Sequence, residues 1–300
     1  MLFPSVCSSG YGPLTGTLAR YSPNFPLTTF ISPPASPHPS TPSFLIHVGG
    51  LSDSLLPTPY TAPLQSLCSS LNYHFLNPIL RSSSLQFGFN SLTTDTEDLL
   101  DLLDYLHNVS KPNKPRVVLV GHSTGCQDAV HLLRTSSDNP LTASIVGVVL
   151  QASASDRECD TDNSSNVKAA EEMVEGGRGG EFMPRDAFWA PITAERFVSL
   201  YGQKADGDSY FCSDLSDAEL DARLGHLKEL EFAVCAYSMA DEYVPAYVDR
   251  DVVVDRLCKA GGMEALKLAG ANHNLSLPED GGAVEKLMEC IGRNLKAIDK

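Results

Sequence analysis

Residues 116–135 read RVVLVGHSTGCQDAVHLLRT, and this stretch restricts the possible folds more than any other part of the chain. The segment RVVLVG (116–121) is almost wholly apolar and rich in β-branched residues, which is typical of a strand buried on both faces. After a short turn, CQDAVHLLRT (126–135) has the spacing of a helix. A buried strand that leads at once into a helix predicts a parallel sheet with helices packed on its faces.

The alternation of strands and helices continues on both sides of this stretch. Further predicted strands are FLIHV (44–48), the poorer candidate YHFLNPIL (73–80), SIVGVVLQA (144–152), EFAVCAYS (231–238) and EALKLAG (264–270). Further predicted helices are residues 94–109, 246–260 and 283–297. Residues 14–32 predict an edge hairpin ahead of a proline-rich loop at 32–43. The fold class is therefore α/β, with a mostly parallel central sheet flanked by helices.

The predicted helix at 94–109 has the clearest local signals. Thr94 followed by Glu97 has the pattern of a capping box. Leucines recur at helical spacing on one face, namely Leu99, Leu102, Leu103 and Leu106. The other face carries Asp98, Asp101 and Asp104, which we interpret as a solvated face rather than a metal site.

The regular pattern is interrupted between residues 153 and 228. This stretch is acidic, rich in glycine and too long for a simple loop, so we predict an inserted, partly helical cap. The α/β core then comprises residues 1–152 and 229–300. Phe182, Phe188 and Trp189 of the cap are candidates for lining a substrate pocket, and the alternative is that they form the cap's own small core.

Composition narrows the environment and the partners. The formal net charge of −15 argues against nucleic acid and anionic membrane surfaces. No segment approaches the roughly 18 apolar residues of a membrane span, and the N-terminal residues lack the features of a signal peptide. The eight cysteines are scattered without a C-x-x-C pair, so we expect free thiols in a cytoplasmic protein. No metal and no organic cofactor is implied, and the oligomeric state stays open.

The glycine-flanked Ser123 is the candidate nucleophile. Gly121-x-Ser123-x-Gly125 lies between a predicted strand and a predicted helix, which is the context of a nucleophile elbow. The serine occupies a strained turn that presents its Oγ at the carboxyl end of the sheet, and the glycines let the helix approach the strand. The motif alone is weak, because serine and glycine are common in turns.

A serine nucleophile needs a histidine base, and the position of each histidine discriminates among them. His273 follows the last predicted strand, where the base of such a sheet belongs. His131 lies on the helix after the serine, and His226 lies at the end of the cap. His122 is adjacent to Ser123 and cannot readily turn its ring onto Oγ. His273 is therefore the predicted base.

The acid that orients the base is predicted after the strand EFAVCAYS. Asp241 and Glu242 both follow it, again at the carboxyl end of the sheet. Asp241 is the first choice and Glu242 the alternative. Nucleophile, acid and base then occur in the chain order that this kind of sheet requires.

Two backbone N–H groups must stabilise the oxyanion of a tetrahedral intermediate. Thr124 follows the nucleophile at a helix N-terminus and is the first predicted donor. The second is predicted in the loop after FLIHV, from Leu51 or else Gly50. The alternative interpretation of Gly49 and Gly50 is a simple turn at the end of a strand.

These motifs together resemble the α/β-hydrolase superfamily over nearly the whole chain. More narrowly, GHSTGCQD, LQASASDRE (150–158) and HVGGLSDS resemble a fungal and plant branch labelled as a domain of unknown function. Characterised fungal members of that branch hydrolyse ester bonds of hydroxamate siderophores. The resemblance implies Ser123, Asp241 and His273 as the triad. The chain departs from the family pattern at Val48 and Cys126.

The leading functional hypothesis is a serine hydrolase that cleaves a carboxylic ester, of siderophore type if the branch resemblance extends to substrate, through an acyl-enzyme. A first alternative is an acyltransferase, lactonase or thioesterase of secondary metabolism that uses the same triad. A second is a non-catalytic binding module on a hydrolase scaffold. In every case the expected partner is a small molecule.

Overall fold

The computed structural model describes residues 11–36, 41–159, 164–202, 208–277 and 281–299. Within them, eight strands form one sheet in the order β1-β2-β4-β3-β5-β6-β7-β8. The strands are β1 (Thr17–Arg20), β2 (Thr28–Ser32), β3 (Ser43–Val48), β4 (His74–Pro78), β5 (Arg116–His122), β6 (Ile145–Gln151), β7 (Phe232–Ser238) and β8 (Glu264–Leu268). Strands β3 to β8 pair in parallel, and β2 is antiparallel to both β1 and β4. The predicted α/β class, edge hairpin and parallel sheet are confirmed.

Helices cover both faces of the sheet. They are α1 (Thr61–Ser70), α2 (Leu92–Ser110), α3 (Thr124–Thr135), α4 (Asp156–Cys159), α5 (Ser164–Glu175), α6 (Ala194–Tyr201), α7 (Asp217–Leu224), α8 (Arg250–Gly261) and α9 (Ala283–Ile298). Sequence patterns did not predict α1, whose N-cap residue Tyr60 makes no side-chain capping hydrogen bond and whose first turn carries no acid. Within the described ranges, no helix combines the length and the apolar composition that crossing a bilayer requires.

Strand β5 explains why the sheet is buried on both sides. Val117 and Leu119 belong to one apolar cluster, with leucines of α2 and α3, whereas Val118 and Val120 belong to another, with residues of α1 and α9. Alternate side chains of a strand point to opposite faces, so a continuous apolar run serves two cores at once. The carboxyl end of β5 is thereby fixed rigidly, and this is where the candidate nucleophile follows.

The start of α2 differs from the sequence prediction. The helix begins at Leu92, and its cap is Ser91, whose Oγ accepts a hydrogen bond from the Thr94 N–H at 3.3 Å. Thr94 occupies the N3 position of the capping box, so Glu97 lies one turn further on, where its carboxylate binds Arg81 at 2.7 Å. The Thr94 and Glu97 prediction was therefore wrong by one turn, since Ser91 and Thr94 form the same kind of box three residues earlier.

The aspartate face of α2 is also less exposed than predicted. Asp98 is fully buried, and its two oxygens accept hydrogen bonds from the Arg81 backbone N–H and from Arg81 Nε, both at 2.7 Å. Asp101 accepts a hydrogen bond from the Ser22 hydroxyl at 2.6 Å. These acids hold the loop after β4 and the β1–β2 hairpin against the helix. The interpretation as a solvated face was wrong for Asp98, because a single sequence does not show which loops cover a helix.

Residues 153–228 join β6 to β7 and carry helices α4 to α7. In its described part, this segment contributes no strand to the sheet. Ala170, Met183, Ile192, Ala194, Phe197, Leu200 and Tyr201 share an apolar cluster of their own. The later residues Tyr210, Phe211, Leu215, Leu220, Leu224 and Leu227 pack instead into the cluster beside α2 and α3. The division into core and cap stays a prediction, and residues 160–163 and 203–207 of the predicted cap lie outside the described residues.

Candidate active site

Ser123 occupies a sharp turn between β5 and α3. Its φ of 54° and ψ of −123° put a side-chain-bearing residue in the left-handed half of conformational space, which costs about 1–3 kcal/mol. Two hydrogen bonds maintain this turn: the Ser123 N–H donates to the Gln151 carbonyl at 3.0 Å, and the Cys126 N–H donates to the Ser123 carbonyl at 2.8 Å. The surrounding structure thus holds the strain in place, as it does at an activated serine.

Each glycine around the serine is required by a close approach of main chain. A Cβ on Gly121 would lie 2.4 Å from the Gly125 carbonyl oxygen, and one on Gly125 would lie 2.4 Å from the Val48 carbonyl oxygen. A Cβ on Gly50 would lie 2.6 Å from the Ser123 Cβ. The loop after β3 therefore touches the elbow directly, which is why HVGGLSDS needs glycine where it does.

The structure brings His273 and Asp241 together. The Nδ1 of His273 lies 2.7 Å from Asp241 Oδ2, and the Asp241 and His273 side chains are 2% and 11% exposed. Asp241 Oδ1 accepts a second hydrogen bond from the Tyr243 N–H at 2.9 Å. With Nδ1–H donated to the carboxylate, the Nε2 atom of the ring is left as the proton acceptor.

Glu242, the alternative acid, has a different place. Its side chain accepts a hydrogen bond from the backbone N–H of His273 at 2.9 Å rather than from the ring. Asp241 therefore orients the imidazole while Glu242 holds the main chain of the same residue. The geometry favours the first choice made from the sequence.

Ser123 and His273 line a common cavity of about 390 Å³. Its acidic lining residues are Asp53, Asp156 and Glu242, and its aromatic ones are Tyr11, Trp189, Tyr201 and Tyr243. No lysine or arginine is among the lining residues in the described part of the chain. Burial raises the pKa of Asp156 to about 6, with the neighbouring charge of Asp208 adding to the effect. A volume of this size accommodates a small organic molecule.

The candidate oxyanion donors lie beside the elbow. Gly50 and Leu51 line the cavity, and Thr124 is the first residue of α3 directly after Ser123. The Gly50 N–H already donates to the Asp53 carboxylate at 2.7 Å. Because the Gly50 N–H is already engaged, Leu51 is the favoured second donor to an oxyanion.

The three cap aromatics singled out from the sequence are not equivalent. Trp189 lines the cavity and is 64% exposed. Phe188 packs instead against Phe197 and Tyr201, with ring centroids 6.0 and 5.8 Å away, so it belongs to the apolar cluster of the cap. Phe182 stands edge-on to Phe89 at the surface. Neither phenylalanine lines the cavity, because Phe188 packs within the cap and Phe182 lies at the surface.

Sequence reasoning missed several lining residues. Asp53 and Asp156 sit in HVGGLSDS and SASDRE, both of which follow strands, so position at the carboxyl end of the sheet was a usable signal. Tyr11 and Tyr243 had no such signal. Among the described residues, no cluster of three or more His, Cys, Asp or Glu has the arrangement of a metal site.

The chain is similar over most of its length to a described family and to a named esterase. The profile of a family described as "Protein of unknown function (DUF1749)" matches residues 10–296. The "Fusarinine C esterase sidJ" of Aspergillus fumigatus is 27% identical over 268 residues, which are 72% of this chain and 75% of that protein.

Two solved structures share the architecture. The "Siderophore hydrolase EstB from Aspergillus fumigatus" superposes with a TM-score of 0.80 and 26% identity, covering 96% of this chain and 99% of the other. An "Alpha/Beta hydrolase fold protein of unknown function" superposes with a TM-score of 0.67 and 19% identity, covering 96% and 97%. The fold is that of the α/β-hydrolases, and the resemblance read from the motifs is confirmed.

Proposed function

We propose that this chain, which belongs to the family described as "Protein of unknown function (DUF1749)", hydrolyses carboxylic esters with Ser123 as nucleophile. The esterase activity is supported by relatives named as an esterase and as a siderophore hydrolase. One observation carries the assignment of residues. His273, which is hydrogen-bonded to Asp241, lines the same cavity as Ser123, and Ser123 sits in a strained elbow.

The proposed reaction begins with attack of Ser123 Oγ on the ester carbonyl carbon. His273 Nε2 accepts the hydroxyl proton, and Asp241 holds the ring and stabilises the imidazolium. The tetrahedral intermediate collapses by breaking the bond to the alkoxy oxygen, to which His273 returns the proton. Water then attacks the acyl-enzyme with His273 as base, releasing the acid and regenerating Ser123.

The N–H groups of Thr124 and Leu51 are the proposed oxyanion donors. The N–H of Thr124 lies at the start of α3, where the helix dipole favours negative charge. Leu51 is preferred to Gly50 because the Gly50 amide is engaged by Asp53. Both donors are backbone groups, so side-chain substitution at these positions is expected to change the oxyanion hole little.

The proposed substrate is an ester of siderophore type, in which hydroxamate-bearing units are joined through carboxylic ester bonds. The names of the fusarinine C esterase and the siderophore hydrolase support it. The polar and aromatic lining of the cavity is compatible with a ligand rich in hydrogen-bonding groups. Trp189 is the cap residue proposed to contact such a substrate.

Replacement of the nucleophile tests this proposal. Ser123→Ala should lower kcat by roughly 10³-fold or more, because no other hydroxyl takes over the attack. The assay uses aryl esters, thioesters, lactones and a cyclic hydroxamate triester, so that it also ranks the ester classes. Fluorophosphonate should label wild-type protein at Ser123.

Ser153→Ala is the matched control. Ser153 is a buried serine just beyond β6, and its Oγ lies 3.8 Å from the Cys235 sulfur rather than in the cavity. Its replacement should leave kcat nearly unchanged. Equal activity of wild type and Ser123→Ala would refute the assignment of the nucleophile.

A further inference from the structure

Gln151, at the carboxyl end of β6, is a fully buried polar residue that the proposed mechanism does not use. Its strand lies between β5, which leads to Ser123, and β7, which leads to Asp241. The side chain makes four hydrogen bonds, and these involve every polar position of the amide. A buried amide that is fully satisfied fixes the groups around it in one arrangement.

The carbonyl side of the Gln151 amide binds two ring groups. Its Oε1 accepts a hydrogen bond from the Tyr60 hydroxyl at 2.9 Å and lies 2.6 Å from His122 Nδ1. Because Oε1 can only accept, the proton of His122 must sit on Nδ1. Gln151 thereby selects one tautomer of the histidine that precedes the nucleophile.

The amino group of the Gln151 amide binds the end of β7 and the loop that carries His273. Nε2 donates to the His273 carbonyl oxygen at 3.0 Å and to the Ser238 hydroxyl at 3.2 Å. A carbonyl oxygen can only accept, so this contact requires the amino group to face His273 and fixes the orientation of the amide. The main-chain carbonyl of Gln151 also accepts the Ser123 N–H at 3.0 Å.

His122 lies between this amide and the candidate base. Its ring centroid is 5.0 Å from that of His273, and it lines the cavity although it is only 4% exposed. Burial lowers the pKa of His122 well below its usual value, and the charge of His273 lowers it further. A neutral ring here avoids a second positive charge beside the imidazolium that His273 must form.

We propose that Gln151 is a positioning residue that holds the elbow of Ser123, the loop of His273 and the tautomer of His122 in one catalytic arrangement. The inference rests on the proposed function, since it assigns Gln151 a role in the same reaction. Displacement of a reacting group by about 1 Å can lower the rate roughly 100-fold, so a group that fixes three loops has a large effect without touching substrate.

Gln151→Met tests the proposal, because methionine keeps the length of the side chain and removes all four hydrogen bonds. The expected result is a fall in kcat of about 10- to 100-fold with KM changed less than about threefold. Rates are divided by the concentration of sites that a fluorophosphonate labels at completion, so that a loss of folded protein does not count as a loss of kcat. A per-site kcat within twofold of wild type would overturn the proposal.

Gln151→Glu provides a second variant if Gln151→Met folds poorly. Its carboxylate retains the acceptor toward Tyr60 and His122 but cannot donate to the His273 carbonyl unless it is protonated. Its per-site kcat should also fall with little change in KM, and an unchanged kcat would again contradict the role of Gln151.

Thr142→Val is the matched control. Thr142 lies just before β6, at the opposite end of the strand, and its buried hydroxyl donates to the carbonyl oxygens of Ser136 and Asn139. The variant should lower stability and leave the per-site kcat unchanged. If the proposed function itself fails, Ser123→Ala retains activity and Ser123 takes no label. If only the positioning role fails, Ser123 is labelled and Gln151→Met turns over normally.

Discussion

Ser123 combines an unfavourable backbone conformation with tight packing against the loop after β3. The Gly125 position that follows it leaves no room for a side chain, since a Cβ there would lie 2.4 Å from the Val48 carbonyl and 2.6 Å from that of Gly49. Main-chain atoms of a central strand cannot move away cheaply. The elbow therefore needs glycine at position 125 for steric reasons, whatever reaction Ser123 performs.

Gly125→Ala should destabilise the protein by about 1–3 kcal/mol, as overpacking of a close-packed interior does. Activity should fall as well, because β3 and the Leu51 loop must shift. Urea unfolding followed by circular dichroism measures the first effect. Gly180→Ala is the control, because nothing lies within 4 Å of a Cβ at that position. If Gly125→Ala matched Gly180→Ala in stability, the steric argument would be wrong.

The proposed catalytic residues could be predicted from their chain order, whereas the proposed positioning residue Gln151 could not. Asp241 and His273 each follow a strand of the parallel sheet, and parallel strands bring such positions to one edge. Gln151 also ends a strand, but nothing in one sequence shows which groups its amide meets. Its partners Tyr60, Ser238 and His273 come from three separate regions of the chain.

Arg196 on helix α6 forms a buried ion pair within the predicted cap and a hydrogen bond to the loop before α2. Arg196 donates to Asp208 at 2.6 Å and to the Phe87 carbonyl at 3.1 Å, and the two charged side chains are 5% and 2% exposed. The same helix ends at Tyr201, which lines the cavity. The ion pair therefore connects the stability of the cap to the shape of the site.

Asp208→Asn should destabilise the protein by about 3–5 kcal/mol, because removing one partner leaves a buried guanidinium poorly compensated. Urea unfolding measures the loss, and a rise in KM would report displacement of Tyr201. Lys168→Met is the control: its partner is Glu172 on the exposed face of α5, so its effect should stay below about 0.5 kcal/mol. Equal stability of the two variants would show that the buried pair does not hold α6.

The whole molecule has a large negative net charge, and acidic side chains line the candidate site. The net charge is −15, and Asp53, Asp156 and Glu242 line the cavity. Clefts lined by charge of one sign concentrate ligands of the opposite sign and repel those of the same sign. The field should therefore discriminate among esters of equal size by their charge.

At pH 8, a negatively charged aryl ester should show kcat/KM roughly 10-fold or more below that of a neutral ester of matched size. The pH lies above the value of about 6 to which burial raises the pKa of Asp156, so this carboxyl is ionised despite the nearby charge of Asp208. The difference should shrink with added salt, because surface charges are screened. Equal rates for both esters at low salt would contradict the electrostatic argument.

The sheet and most of its elements were predictable because buried parallel strands leave continuous apolar runs in the sequence. The β5 run and its successors were placed to within a few residues, and the order of Ser123, Asp241 and His273 followed from them. Helix α1 and the true cap of α2 were not predicted. Helix α1 lacks a side-chain cap and an acidic first turn, and the Thr94 and Glu97 pair has the pattern of a capping box one turn inside α2.

The sequence by itself determined the sheet, the elbow and the edge at which reactive groups gather, because hydrophobic periodicity and glycine spacing are local properties. Only the tertiary structure decided that Asp241 rather than Glu242 faces the His273 ring, and that Trp189 alone of the three cap aromatics reaches the cavity. It also decided that the Gln151 amide contacts His122 and the His273 loop while its main-chain carbonyl holds the Ser123 elbow. Such choices depend on side-chain directions set by packing between distant segments, and no spacing along the chain encodes them.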